Sequence, residues 1–423
     1  MSAIELVRHG LTRRFLQKHK LFVKQDRKQI TYSCHLRSDS SMPVYLDNNA
    51  TTPLEPSVRA AMLHYFDIEY GNAGSRTHAF GSEAKKAVER ARDQVAAVVA
   101  ADPAEVIFTS GATEANNLAL LGLEPFARAQ GRGHFITTAI EHKAVLEPLE
   151  ALAARGLDVT FLPVDASGRV SVADLAAALR PDTVAVSVMQ ANNETGVLQP
   201  IAEIADRLAG HPAYLHVDAA QAFGKSLDDL RLKRVDMISA SAHKLYGPKG
   251  VGALIARRRG YDRPPLSPLM FGGGQERGLR PGTLPVPLIA GFGAAAEAAM
   301  QQQRARQAAN LAVRERALAA FAPLRPTLIG DQTCCLPHVL ALAFAGVDSE
   351  GLMLAMRESA ALSNGSACTS ASYQPSHVLV AMGLAKPTVR GAVRLSWSHL
   401  SGEPDWDAMA HAVGTLRFSE SFA

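Results

Sequence analysis

The sequence predicts an α/β protein: a large domain built on a seven-stranded, mostly parallel sheet, with a small α+β domain attached. Three observations carry this expectation. Between residues 58 and 300, seven short β-rich runs alternate with helical patterns, as parallel strands joined by crossover helices require. From about Leu288 to Phe321 the chain is rich in Ala, Gln and Arg, with no proline and no glycine after Gly293, which reads as one long helix leaving the domain. At 423 residues the chain also exceeds the ~250–300 at which a single core usually stops growing.

In order along the chain, "GSEAKKAVERARDQVAAVVA" (81–100) has the spacing of an amphipathic helix. Strands are predicted at 105–110, 134–139, 158–164, 183–190, 213–218, 235–240 and 251–257. Beyond the long helix come a strand at 339–346, a helix at 349–359, a loop of small residues, a helix at 375–383 and "AVRLSWS". The expected division is a large domain over 58–300, with 43–57 and 301–423 forming the small domain that carries the loop. In open parallel sheets, ligands gather beyond the carboxyl ends of the strands.

Residues 1–42 hold nine Lys/Arg against Glu5, Asp26 and Asp39, a net +6, so the remainder of this +4 chain carries −2. They are expected to be a poorly ordered basic extension upstream of a start at Met42; a transit peptide and a basic binding arm are the alternatives. A body at −2 does not predict strong direct nucleic-acid binding. No apolar run reaches the ~18 residues of a membrane span. Four cysteines do not form a disulfide framework in so long a chain, which predicts a reduced, cytoplasmic protein. Cys334 and Cys335, near His338, are adjacent and lack the spacing of metal ligands, so no metal site is expected.

The residues just past the strands carry the chemistry. "FTSGATEANNLAL" runs through Gly111 into a helix and places Thr113 at a helix N-terminus, where free N–H groups suit a phosphate. "AYLHVDAAQ" ends a strand at Asp218, with His216 before it and Gln221 after it. "SASAHKLYGPKGVG" puts Lys244 in a turn beside Ser241 and His243. Taken singly, these are a helix cap, a strand-end acid and a surface lysine. Together they meet the needs of pyridoxal phosphate: a lysine for the Schiff base, a carboxylate for the pyridinium nitrogen and a phosphate cradle. His142 of "AIEHKAV" is suited to stacking or proton transfer, and the guanidinium of Arg394 to an α-carboxylate. "NGSACTSAS" (364–372) holds Cys368 among small residues that give a loop room to move.

"YLDNNATTP", "GNAGSRTHAFG", "FTSGATEANN", "EHKAVLEP", "NNETGV", "HVDAAQ", "SAHKLYGPKGVGAL", "GGGQERGLRPGTLPVP" and "NGSACTSAS" resemble the motif blocks of pyridoxal-phosphate cysteine desulfurases, class V aminotransferases of the iron–sulfur-cluster and nitrogen-fixation group. The resemblance covers about residues 43–400, and the wording of several blocks is most similar to the branch serving DNA phosphorothioation. It implies the aminotransferase-type fold, a homodimer, and L-cysteine as substrate. Lys244 would be the Schiff-base lysine, Asp218 the pyridinium partner and His142 the stacked imidazole. Gln221 and Asn193 would meet the phenolic oxygen, while Ala112, Thr113, Ser241 and His243 would bind the phosphate, joined by Thr283 from the other subunit. Arg394, Asn72 and Asn193 would hold the substrate carboxylate. Cys368 would take the sulfur as a persulfide and pass it to an acceptor, an iron–sulfur scaffold, thiolation or DNA-modification protein; it is also a candidate transient iron–sulfur ligand. Selenocysteine lyase or another pyridoxal-phosphate transferase is the alternative, and a silent scaffold is disfavoured by the intact Lys244, Asp218 and Cys368. The chain departs from the family wording at Ala242, at Ala73-Gly74 and over its first 42 residues.

Overall fold

The computed structural model of the protein describes residues 43–364 and 375–420. The basic extension and Cys368 lie outside the described residues. After β1 (Val44–Tyr45) come the strands of the large sheet: β2 (Val106–Thr109), β3 (His134–Thr138), β4 (Asp158–Leu162), β5 (Thr183–Ser187), β6 (Tyr214–Asp218), β7 (Met237–Ser241) and β8 (Gly252–Ala256). Their order is β2-β8-β7-β6-β5-β3-β4, and only β8 runs against its neighbours. Every residue of β2, β3, β5, β7 and β8 is buried, as expected for strands covered on both faces. The edge strand β4 is mostly accessible.

Successive side chains along a strand serve opposite cores, because the pleat has period two. Phe108 and Ile136 face the layer of α1 (Pro56–Asp67), α2 (Ala79–Val98) and the long helix, where Val88, Val95 and Phe292 fill the gaps. Their neighbours Ile107 and Phe135 face α3 (Ala112–Leu121) and α4 (Lys143–Ala154), against Leu118, Leu149 and Leu152. The long helix α5 (Val286–Phe321) has 36 residues and is therefore about 54 Å long. Its first half packs in the large-sheet core through Ala295 and Ala299, its last turns in another through Ala317 and Phe321.

That other core covers a three-stranded antiparallel sheet in the order β12-β10-β9, formed by β9 (Thr327–Leu328), β10 (Val339–Ala343) and β12 (Ala392–Ser396). Trp397, Trp406 and Met409 seal it. β1 pairs in parallel with β11 (Ala360–Ala361), and Ser396 N donates to Leu46 O, so the first described residues are tied to the last strands.

The structure shortens several elements. β5 stops at Ser187 where the run was expected to reach 190, yet Val188 N and Gln190 N still bond His216 O and Asp218 O, so extended chain continues beyond the regular ladder. The helix expected over 349–359 ends at Met356, because Ala360 enters β11. Among the described residues no helix is long and apolar enough to cross a membrane.

His216 is a core residue: its ring nitrogens bond Ser187 Oγ at 2.8 Å and Ser239 Oγ at 2.9 Å. Burial pushes its pKa down to about 3, below the ordinary 6.5. The folded state therefore favours the neutral ring; its stabilisation is complete above pH 6.5 and is lost as pH falls toward 3. Within that window each pH unit costs up to about 1.4 kcal/mol. The melting temperature is expected to fall between about pH 7 and about pH 5, and to fall less in His216→Gln. Parallel curves for the two proteins would remove His216 as a source of acid lability.

Candidate active site

Ten of the residues singled out in the sequence line one cleft at the carboxyl ends of the central strands: Ala112, Thr113, His142, Asn193, Asp218, Gln221, Ser241, His243, Lys244 and Arg394. Its open volume is about 600 Å³. Asp218 ends β6 and is buried; its Oδ2 accepts from Asn116 Nδ2 at 2.7 Å and its Oδ1 from Ala220 N at 2.9 Å. Two donors hold the carboxylate in one orientation. Asn116 was not singled out in the sequence. It is one of two adjacent asparagines in "ATEANNLALL", and nothing in the sequence alone distinguishes it from its neighbour Asn117.

Lys244 follows β7, and its Nζ donates to Ala50 O at 2.8 Å and to Asn49 O. The segment 49–52 is the other half of this wall. Thr52 N and Oγ1 both bond His243 O, and Thr51 Oγ1 lies 3.1 Å from His243 Nδ1. Burial first, and the fields of Lys244, Lys249 and Lys225 next, lower the His243 pKa to about 4, so this ring is neutral at neutral pH.

His142 caps α4, with Nδ1 accepting from Ala144 N at 3.1 Å. That bond puts the proton of the neutral ring on Nε2, and burial lowers the pKa and keeps the ring neutral. The ordinary reading, a helix-start histidine, holds for this side chain, which also lines the cleft. At the N-terminus of α3, Ala112 and Thr113 face Ser241 across the cleft mouth. A Cβ on Gly111 would stand 3.5 Å from Ser241 Oγ, and one on Gly252 would strike Gly111 Cα at 2.6 Å, so glycine keeps this cradle open.

Arg394 on β12 is buried; Nη1 donates to Asn193 O at 2.8 Å and Nη2 to Asp47 Oδ1 at 2.5 Å, while Nε has no partner. Asn72 and Thr283 do not line this cleft. Both are exposed, and Asn72 Oδ1 accepts from Gly74 N at 2.8 Å. Ala242, the departure beside the lysine, buries its methyl in the large-sheet core.

With this geometry in place, comparison with known proteins is decisive. The Aminotransferase class-V family model matches residues 44–408. The chain belongs to this family. A mouse (Mus musculus) protein named cysteine desulfurase is 46% identical over 381 residues, which is 89% of this chain and 82% of the relative. Cysteine desulfurase IscS of Anaeromyxobacter dehalogenans is 47% identical over 375 residues, 88% of this chain and 92% of the relative. Among solved structures, DndA from Streptomyces lividans is 51% identical with a TM-score of 0.74, covering 84% of this chain and 98% of that one.

Class-V aminotransferases are generally pyridoxal-phosphate proteins, and the residues present fit that group. Asn49 Oδ1, Asn116 Oδ1, Asn193 Oδ1 and Gln221 Oε1 are buried without a hydrogen-bond partner, and all four side chains line the cleft. Such orphaned polar atoms cost free energy unless a ligand or water meets them. The donor set around the helix N-terminus, with Lys244 and Lys249 nearby, suits a phosphate. The held carboxylate of Asp218 suits a protonated ring nitrogen.

Proposed function

We propose that this chain is a cysteine desulfurase that converts L-cysteine to L-alanine and retains the sulfur on Cys368. The observation that carries the reading is the convergence of Lys244, Asp218 and the N-terminus of α3 on one cleft, in a chain whose relatives bear that name. Pyridoxal phosphate, when bound, supplies an electron sink that acidifies the α-hydrogen of an attached amino acid.

In this reading Lys244 Nζ would hold the cofactor and would be the amine placed to move the α-proton. Asp218 would pair with the ring nitrogen, and His142 would lie against the ring with Nε2–H to offer. Gln221 and Asn193 would be the side chains beside the phenolic oxygen. Ala112, Thr113, Ser241 and His243 would hold the phosphate. Arg394 has Nε left for the substrate carboxylate, with Asn193 beside it. Thr283 and Asn72, both exposed, fit as residues given to the cleft of a second copy in a homodimer.

Cys368 stands five residues beyond Ser363, which is bridged to Arg394. At ~3.6 Å per residue, its Cα stays within about 18 Å of Ser363. Ser363, at the near end of that span, is bridged to the cleft-lining Arg394. The thiolate attacks the substrate sulfur; an S–S bond forms, the Cβ–S bond breaks with its electron pair left on carbon, and protonation completes the methyl of alanine. An ordinary thiol is only a few per cent ionised at neutral pH, so the thiolate needs local help. The sulfur then passes to an acceptor of iron–sulfur assembly or DNA sulfur modification, and the motif wording favours the second. A reduced cytoplasmic setting goes with this, because the thiol must be free again for each turnover.

The test is product stoichiometry. Cofactor-loaded protein given L-cysteine and dithiothreitol is expected to release alanine and sulfide in equal amounts. Turnover of selenocysteine without turnover of cysteine would replace this reading with selenocysteine lyase, and a loaded protein inert toward both would reject it.

A further inference from the structure

One face of α5 carries a polar stripe that the cleft does not use. Arg306, Asn310 and Arg314 are four residues apart, so they share a side of the helix, and all three are buried. Buried polar groups need partners, and here the pairing is incomplete. Arg306 Nη2 donates to Glu55 Oε2 at 2.5 Å and, together with Nε, to Gln302 Oε1, but Nη1 has no partner. Arg314 donates to Val339 O and Gln332 Oε1, both uncharged. Asn310 Oδ1 is also left without a donor.

Facing this stripe is the partly buried Lys225, in the turn that follows β6. Its Nζ lies 3.2 Å from Nε2 of the buried His338. Burial first, and the field of Lys244 next, push the Lys225 pKa down to about 7. Burial, then the fields of Lys225 and Arg314, hold His338 well below its ordinary 6.5, so that ring is neutral. Among the described residues, Lys225, Arg306 and Arg314 pair with one carboxylate, that of Glu55 on Arg306. Charge left uncompensated away from water is costly, and this region has it in surplus on the positive side.

Lys225, Arg306, Asn310 and His338, with Leu245 and Tyr246, line a cavity of about 30 Å³. A water needs about 10–15 Å³, so the space takes one small ion or a water or two, and it is too small for a phosphate. We propose that this cavity is a chloride site, in which the ion accepts from Lys225 Nζ and Arg306 Nη1. With its amide turned over, Asn310 adds Nδ2 as a third donor. The cavity shares no lining residue with the cleft, and the proposal does not depend on the reaction performed there. Leu245 and Tyr246 directly follow Lys244, so the ion would stand behind the cleft wall. There it would offset part of the positive field between Lys225 and its neighbours Lys244 and His243.

The experiment uses the full-length, cofactor-loaded protein and its Lys225→Met variant. Sodium chloride replaces sodium gluconate, whose anion is too large for the cavity, at constant ionic strength while the melting temperature is followed. Crystals soaked in sodium bromide supply the anomalous signal of a heavier halide. The parent's melting temperature is expected to rise by about 2 °C or more up to about 0.2 M chloride, as mass action requires of an ion bound by the folded state alone. Methionine keeps the length of the side chain and removes the charge, a replacement that buried charge sites tolerate, so Lys225→Met should fold and lose most of that rise. A bromide peak is expected between Lys225 Nζ and Arg306 Nη1. A melting temperature indifferent to chloride overturns the proposal, and a bromide peak seen without a chloride response marks an adventitious ion only. An equal rise in parent and Lys225→Met, or a water in the cavity of the bromide crystals, puts the anion elsewhere and overturns it as well. Should Lys225→Met fail to fold, the parent's chloride response and its bromide peak decide together.

Discussion

Lys244→Ala is expected to lower turnover of L-cysteine at least a thousandfold and to abolish the absorbance of a lysine-attached cofactor. Lys244 sits just past β7, within a wall built from 49–52 and 241–246, and its amine is held by the carbonyl oxygens of Ala50 and Asn49. No other lysine singled out in the sequence stands at that place; Lys249 lines the cleft but is exposed. Removing the amine removes both the attachment and the proton carrier, two roles that act in series, so the loss exceeds that of a single hydrogen bond. Deleting the half-buried side chain leaves the cores untouched, so the melting temperature of the cofactor-free variant should match that of the cofactor-free parent. Turnover within tenfold of the parent in Lys244→Ala would remove this lysine from the chemistry.

The second large effect is expected at Cys368. Alanine there should cut sulfide and alanine release at least a hundredfold while leaving cofactor absorbance and melting temperature at parental values. The two variants separate the two halves of the reaction: Lys244→Ala loses the cofactor signal, Cys368→Ala keeps it. Mass spectrometry of the parent after cysteine, without reductant, should find 32 Da added at Cys368, about the mass of one sulfur atom. Alanine release from Cys368→Ala at the parental rate would mean that the C–S bond breaks without this thiol.

Much of this was legible because the chain follows a rule of parallel sheets: functional side chains stand just past apolar runs. Asp218 after "AYLHV", Lys244 after "VDMISAS" and Thr113 after "VIFTSG" could be found by walking off the end of each strand. What was hidden depends on pairing across the sequence. Asn116 acquires its meaning from Asp218, 102 residues later, and Asn49 from Lys244, 195 residues later. Glu194 looked like part of a loop motif, and only the fold brings Ser376 to it from 182 residues away. Two-residue strands such as β1, β9 and β11 carry too few residues to show a period, so their pairing could not be read. His216 illustrates the opposite error risk: its place two residues before Asp218, on the same strand face, suggests chemistry, but it stands one repeat further back along β6 and is buried between Ser187 and Ser239.

Residues 46–52 are wedged between two distant parts of the chain. They bond Ser396 on one side and 243–246 on the other, with Asn49 N on Ser396 Oγ at 2.9 Å and Thr52 N on His243 O at 3.0 Å. Among the first residues of the described chain to leave the ribosome, they must wait for some of the last before the cleft wall closes. The large sheet has all seven strands once Ala256 is made, but Arg394 and the Ser396 anchor are still unsynthesised. Domains fold as they emerge, at roughly 5–20 residues per second, and the large-sheet core is complete only with Ala299 of α5, so it precedes the Ser396 anchor by about 5 to 19 seconds. Completion of the cleft is thereby deferred to the end of translation, and a chain cut short before β12 would carry a folded sheet and an unfinished site.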